Sequence, residues 1–332
     1  MAAATKLYKK SLGFFAQIQQ YRSNANYTAG ASIRTRNELF NEEQRRQREA
    51  VGRIDKIEVR YLGLPEDVTL VMNSHISTPY NCAQHLSEGH CQRAVLALLD
   101  GSVPWDVHRP LQESCTLQLL NFNVSEPHVV NKAFWRTCSF MLGAALQRVF
   151  KEEAKLQLHS FPSPNIKSGS FVHDIVLGAQ NWQPTKAEMR AISAEMVKLA
   201  AQDLRIERLE VDQELAKEMF KESHYKSEQL PSIAQQNQSR VTLYRLGEHI
   251  DISRGPMVAS TRFLGKCTVS TAHKLTDEGP SNAFYRIQGV ALPSGFMLNH
   301  FAYGLLEQRS QKLNSARLPN EPFEDQRQMQ LS

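Results

Sequence analysis

From Asn131 to Lys151 the apolar residues Phe134, Cys138, Met141, Leu142, Leu146 and Val149 recur at helical spacing, uninterrupted by proline. A helix of that length with so apolar a stripe must be covered by a further layer, which restricts the chain to folds with a shared interior. Strand signals flank it. Ile54, Ile57, Val59 and Tyr61 alternate with polar residues over 54–62, and Val68 to Met72 is a second short run. Thr78 and Pro79 open a helix, a hydroxyl at the cap and proline at the first helical position, with Tyr80, Ala83 and Leu86 on its inner face. Strands at 94–98 and 115–122 follow, separated by Asp100-Gly101 and Arg109-Pro110. Two strands, a helix and returning strands make a small β-grasp, ubiquitin-like module.

After the long helix a proline-rich turn at 161–165 precedes a strand from Ser170 to Leu177. Pro184 and Thr185 open a second long helix reaching Gln202. A strand at Ile206–Val211, a helix at Gln213–Phe220 and a strand at Val241–Leu246 complete the pattern. Beyond 274 the sequence predicts a helix near 297–313 and a polar tail. The fold class is α+β.

Residues 1–36 carry Lys6, Lys9, Lys10, Arg22, Arg34 and Arg36 and no acidic residue. Leu7, Tyr8, Phe14, Phe15 and Ile18 fall on one arc of a helix there, and Lys6, Lys9, Lys10, Gln17 and Gln20 on the other. Basic, amphipathic and free of acids, the segment has the composition of a mitochondrial presequence; a basic arm or a membrane-surface helix shares those ingredients. The formal net charge is +5, but without those six residues 33 basic side chains face 34 acidic ones. The body is near neutral, and any basic surface on it is local. Asn37 is a candidate cap for a charged helical linker over 37–53, through Leu39, Glu42, Glu43, Arg45, Arg46 and Arg48. With few apolar positions, it needs a partner to become ordered, as a solvated helix or as an RNA-contacting arm.

The five cysteines are widely spaced and form no C-x-x-C pair, so neither a disulfide framework nor a zinc ribbon is expected. No apolar run approaches the ~18–20 residues that span a bilayer. P-loop, Rossmann glycine, nucleophile-elbow and H-E-x-x-H patterns are missing from the sequence. His85 and His90, five apart, diverge on a helix. His173 and Asp174 are neighbours on opposite faces of a strand and make no dyad.

Thr78-Pro79-Tyr80, Ala94-Val95-Leu96-Ala97, Asp100-Gly101, Trp105-Asp106, Arg109-Pro110-Leu111 and Cys115-Thr116-Leu117 together resemble the TGS module of threonyl-tRNA synthetases. Phe134-Trp135, Leu142-Gly143 and Leu146-Gln147-Arg148-Val149-Phe150 are similar to the first helix of the synthetase editing domain. Phe171 to Asp174, Glu207 to Val211 and Asp251 to Pro256 follow in family order. Arg286-Ile287-Gln288-Gly289-Val290 resembles the segment leading toward the aminoacylation domain. The match runs over 54–312, and the residues after it leave no room for a class II catalytic domain, so aminoacylation is not expected from these 332 residues.

The resemblance implies an editing site with two histidines four apart on the first helix, and a cysteine and a third histidine four apart in the later segment. Here those positions hold Arg136, Phe140, Ser253 and Met257. A guanidinium has no lone pair and repels a cation. Phenylalanine has no donor atom, and a hydroxyl or thioether is a poor substitute for thiolate or imidazole. No metal, cofactor or small-molecule substrate is therefore expected. Asp251 remains, as a structural hydrogen-bond acceptor or as the partner of Arg136 in an ion pair inside the old cleft.

A mitochondrial address joined to such a degenerate synthetase fragment also resembles a family of mitochondrial large-ribosomal-subunit proteins derived from the synthetase. That resemblance implies a structural, non-enzymatic role in the mitochondrial matrix, in contact with large-subunit rRNA and neighbouring mitochondrial ribosomal proteins. Arg45, Arg46, Arg48, Arg309, Lys312 and Arg317 are the candidate phosphate contacts, or else solvated helix faces. A free-standing tRNA-editing factor and a tRNA- or mRNA-binding regulator are the alternatives. The expected organisation is a presequence over 1–36, the linker over 37–53, a TGS-like β-grasp domain over 54–123, an editing-like α+β domain over 128–275 and a helical C-terminal tail over 276–332.

Overall fold

The structure, a computed structural model, describes residues 28–178, 182–278 and 282–318. Most of the expected presequence lies outside them. The first described element, α1 (Thr28–Glu49), begins inside the segment expected to be presequence and runs past Asn37. Asn37 is therefore no cap: its amide donates to Ile33 O and Glu248 O, both at 2.9 Å. The partner that this charged helix needs is the rest of the chain. Phe40 is fully buried beneath the Arg245 guanidinium, 4.2 Å from its ring centroid. Arg36 Nε donates to Met219 O at 2.9 Å, and Gln47 Nε2 to Glu210 O at 2.6 Å. Burying one phenylalanine side chain stabilises by roughly 1.5–3 kcal/mol, which a mostly polar helix lacks alone.

A five-stranded sheet follows. β1 (Lys56–Tyr61) pairs antiparallel with β2 (Val68–Asn73) and parallel with β5 (Cys115–Leu120); β3 (Leu96–Leu99) joins β5 to β4 (Val103–Trp105). The order is β2-β1-β5-β3-β4. The alternation in 54–62 is literal, since Ile57, Val59 and Tyr61 are buried and Lys56, Glu58 and Arg60 exposed. α2 (Pro79–Leu86) starts in a reciprocal capping box, Asn81 N–H to Thr78 Oγ1 at 3.3 Å and Thr78 N–H to Asn81 Oδ1 at 2.9 Å. Cys82, with Ala83, lies on its buried side, while Tyr80 and Leu86 are half-buried. His90 sits on a separate short helix, α3 (Glu88–Arg93).

α4 (His128–Val149) lies against a four-stranded sheet of order β11-β12-β7-β6, with β6 (Gln157–Ser160), β7 (Phe171–Leu177), β11 (Leu264–Glu278) and β12 (Asn282–Pro293). α5 (Lys186–Ala201) covers the same sheet, capped by Thr185 and Glu188. Phe134, Cys138, Met141, Leu142 and Leu146 are buried, as the spacing predicts. The segment after 275 differs from expectation. β12 is an interior strand with Ala283, Phe284, Tyr285 and Ile287 almost wholly buried, so the expected helix and polar tail begin with core.

The third sheet, β10-β9-β8, is built from β8 (Ile206–Asp212), β9 (Arg240–Leu246) and β10 (His249–Ile252). α6 (Gln213–Met219) and α7 (His224–Gln235) share a core with it and with Phe40. The last described helix is α8 (His300–Ser310). The residues after it are strapped down: Asn314 Nδ2 donates to Ser168 Oγ at 2.6 Å and to Ser170 O at 2.8 Å, and Gln288 Nε2 to Lys312 O at 2.6 Å.

The five-stranded unit is docked, not hung. Ala94, Val95, Leu96 and Val107 belong to the same core as α4, and Ala259 N–H donates to Val95 O at 3.1 Å.

Candidate functional site

Arg136 and Phe140, one turn apart on α4, present their side chains on the same helix face. Opposite them runs 251–257, from the end of β10 through a cis Gly255–Pro256 bond. Arg136 reaches across to this segment, which also carries Ser253 and Met257.

Arg136 Nη1 donates to Pro256 O at 3.0 Å. Phe140 is fully buried, its ring centroid 4.9 Å from that of His249, 6.3 Å from Phe161 and 6.4 Å from Tyr244. Ser253 Oγ accepts the Gly255 N–H at 3.4 Å. Met257 is buried, and its backbone N–H donates to Asp106 Oδ1 at 2.8 Å. Phe140 and Met257 are thus part of the packed interior.

The expected Arg136–Asp251 ion pair is absent. Asp251 is instead paired with Lys226, whose ammonium lies 2.5 Å from Oδ1. Lys226 projects from α7, a helix that the sequence does not announce because Pro231 interrupts its pattern. With Asp251 neutralised there, Arg136 needs only a carbonyl.

Two histidines form the remaining polar lining. His173 Nδ1 lies 2.9 Å from Ser139 O, which can only accept, so Nδ1 carries the proton and Nε2 is a lone pair without a donor. His249 Nδ1 lies 2.6 Å from Gln147 Oε1, and its Nε2 is likewise unpartnered. Burial pushes His173 down to about 4 and His249 down to about 3. Both are neutral at pH 7. A β-carbon at Gly143 would come within 2.6 Å of the His173 ring, so α4 approaches β7 this closely only with glycine there. Burial pushes the Asp251 carboxyl up, but the Lys226 ammonium beside it pulls harder and holds it below the usual range. Among the described residues no group of three or more His, Cys, Asp or Glu side chains is arranged to hold a metal.

His173 and Asp174 do face opposite ways. Asp174 receives two parallel bonds from Arg286 on β12, both at 2.8 Å, and both side chains are buried. At the junction with the five-stranded sheet, Tyr244 Oη donates to Asp106 at 2.9 Å and Arg208 Nε lies 3.6 Å from the same carboxylate. The Trp105-Asp106 segment thereby pins the two units together. Sequence reasoning does not single out Lys226, His249 or Tyr244, and it names Arg286 and Gln288 only within the resembling segment 286–290.

All six candidate phosphate contacts are exposed, and they differ in their partners within the chain. Arg46 is forked onto Glu43, with Nε 2.6 Å and Nη2 2.7 Å from its carboxylate oxygens. Arg309 donates to Lys167 O, and Arg317 is engaged within the chain, its carbonyl accepting from Arg286 at 2.7 Å. They sit on two separate elements, the end of α1 and the strap after α8.

No protein-family model matches the chain. Against curated proteins it is 31% identical over 243 residues to cytoplasmic threonine–tRNA ligase 1 of Bos taurus, covering 72% of this chain and 31% of that protein. It is 33% identical over 186 residues to threonine–tRNA ligase of Thermotoga maritima, covering 55% and 26% respectively. The chain thus spans about a third or less of the length of these synthetases. A third relative, large ribosomal subunit protein mL39 of Drosophila melanogaster, is 78% identical over 333 residues, covering 100% of both chains. At that identity over that length, the chain belongs to the family of large ribosomal subunit protein mL39.

Proposed function

We propose that the chain is a structural constituent of the mitochondrial large ribosomal subunit. It works in the matrix, in contact with rRNA and neighbouring ribosomal proteins, and lacks the hydrolytic activity of the synthetase editing domain it resembles. The observation that carries this reading is the 78% identity to mL39 over the whole of both chains. The filled cleft supports the second half: Phe140 and Met257 occupy it as core, and the buried carboxylate of Asp251 is already spent on Lys226.

The order β2-β1-β5-β3-β4, with its parallel β1–β5 pair in the middle, supports reading 54–123 as a TGS-like β-grasp unit. The two remaining sheets with α4 to α7 are then the editing-like unit, its sheet extending through Pro293. Arg45, Arg48 and Lys312 are the members of the candidate set that meet rRNA phosphates; the other three serve the fold.

Sedimentation of mitochondrial lysate in high salt tests the proposal. The chain is expected to remain with the large subunit, and release into the soluble fractions would overturn it. Seryl-tRNA incubated with the purified chain is expected to be hydrolysed no faster than in buffer; measurable deacylation would favour a free-standing editing factor instead.

A further inference from the structure

α1 is held on the third sheet by residues from both sides of the expected presequence boundary at 36. Phe40, after it, is fully buried in the core shared with α6 and α7. Arg36, before it, is bound just as closely. Its Nε donates to Met219 O at 2.9 Å, and Met219 is the last residue of α6, where a carbonyl has no acceptor role left within the helix. Its guanidinium also lies 4.6 Å from the ring centroid of Phe220, a side chain of the same buried core. A cation at a helix C-terminus and over an aromatic face is favourable on both counts. One turn earlier, Ile33 O accepts from the Asn37 amide, which also bonds Glu248 O in the turn between β9 and β10.

Removal of residues 1–36 would take the cap from α6 and leave only 37–49 of a helix that runs from Thr28 to Glu49. Helices shorter than about 12–15 residues are marginal in water without such anchors. The cut would also place a new ammonium at the positive end of the helix dipole. The sequence offers an earlier place. The amphipathic arc closes at Ile18 and Gln20, and from Ser23 to Ala31 the residues are uncharged and small or polar apart from Tyr27. Residues of that kind are favoured at proteolytic sites.

We infer that the presequence is cut between Arg22 and Ser32, so that Arg36 remains in the mature chain as part of its fold and the address rests on Lys6, Lys9, Lys10 and Arg22. The step is hydrolysis of one peptide bond by a matrix endopeptidase. Water adds across the C–N bond, leaving a carboxylate on the released segment and an α-ammonium on the mature chain. The inference rests on the mitochondrial reading above and moves its presequence boundary.

The experiment reads the N-terminus directly. The full chain with a C-terminal affinity tag is recovered from mitochondria, whether or not it sediments with the large subunit, and its terminal amine is labelled and identified by mass spectrometry. The expected first residue lies between Ser23 and Ser32. Any other terminus, an uncut chain included, would overturn the inference, as would absence of the chain from mitochondria. Failure of the ribosomal reading alone shows in sedimentation and leaves this measurement standing. Arg36→Ala supplies an independent readout. It is expected to be imported and cut like the unsubstituted chain, while the Tm of the purified full chain falls by several degrees. Lys9→Ala with Lys10→Ala is expected to lower import several-fold. Import lost with Arg36→Ala, or a Tm left unchanged by it, would place Arg36 in the address and overturn the inference.

Discussion

The Lys226 ammonium lies 2.5 Å from the Asp251 carboxylate, and both side chains are almost wholly removed from solvent. Asp251 Oδ1 also accepts the Ile252 N–H at 2.7 Å. A carboxylate at that depth requires a positive partner, because desolvation costs several kcal/mol per ion. Here the chain supplies that partner from α7, a neighbouring helix, and the former cleft becomes part of the interior.

Removing one member of such a pair is worse than removing both. Lys226→Met leaves an uncompensated buried charge and is expected to destabilise the chain by about 3–5 kcal/mol. Adding Asp251→Asn to it should recover a large part of that loss. Urea unfolding midpoints of the two single variants and the double variant check this. Additive losses would mean that the pair contributes no coupling.

Acid should weaken the fold well before its carboxylates titrate. Burial holds His173 down to about 4, His249 down to about 3 and His159 down to about 4. In the unfolded chain each binds a proton near 6.5. Between those values the unfolded chain binds more protons than the folded one, so stability is fully present above about pH 6.5 and falls as the pH drops toward 4. Each unit of difference is about 1.4 kcal/mol, and three such groups make the loss several kcal/mol. Thermal melts from pH 7.5 to 4.5 are expected to show this decline, with a shallower slope for His249→Gln. A flat profile for the unsubstituted chain would contradict the neutral, buried assignment.

How much of the fold is legible in the sequence follows from how local each signal is. The caps at Thr78 and Thr185 and the stripe of α4 depend on residues a few positions apart, so they can be read directly. α7 cannot, because Pro231 and the charged Lys226 look like loop until a sheet and a buried carboxylate are placed beside them. β12 is not read as a strand from the sequence, since Arg286 and Gln288 break its apolar run. Their partners are carbonyls up to 31 residues later, at Asn314, Ala316, Arg317, Ser310 and Lys312. That Arg136, Phe140, Ser253 and Met257 are poor metal ligands is visible in the sequence. Which residue neutralises Asp251 is not, because that depends on tertiary contact alone.

Arg286 is the clearest case of a residue whose role is invisible to periodicity. It is fully buried, forked onto Asp174, and donates to Asn314 O at 3.0 Å, Ala316 O at 2.6 Å and Arg317 O at 2.7 Å. Lysine keeps the charge but cannot reproduce the planar fork. Arg286→Lys should therefore cost roughly 2–4 kcal/mol and release the strap after α8. Limited proteolysis near 312–317 is expected to accelerate in the variant, and unchanged cleavage would show that the strap is held by other bonds.

At the end of α1, Arg45 and Arg48 should behave differently from Arg46, which is forked onto Glu43. Arg45→Ala with Arg48→Ala is expected to leave the melting curve unchanged and to reduce the salt dependence of binding to large-subunit rRNA, by about one unit of slope for each phosphate no longer neutralised. Arg46→Ala removes a fork on Glu43 and should leave that slope unchanged. Equal slopes for all variants would place the RNA-binding surface elsewhere.

Phe140 decides whether the old cleft is now core. Its ring is fully buried against His249, Phe161 and Tyr244. If the cleft were merely vacant of chemistry, trimming the side chain would cost little, since a groove open to solvent fills with water. If it is interior, Phe140→Ala leaves a cavity and costs about 3–5 kcal/mol. Phe140→His installs the residue type that the resemblance to the synthetases implies there, yet buries a polar imidazole among aromatic rings. It should cost about 1–3 kcal/mol and give no hydrolysis of seryl-tRNA. Unfolding midpoints and a deacylation assay on the same preparations separate the two cases. A Phe140→Ala variant as stable as the unsubstituted chain would show that the cleft is still a groove.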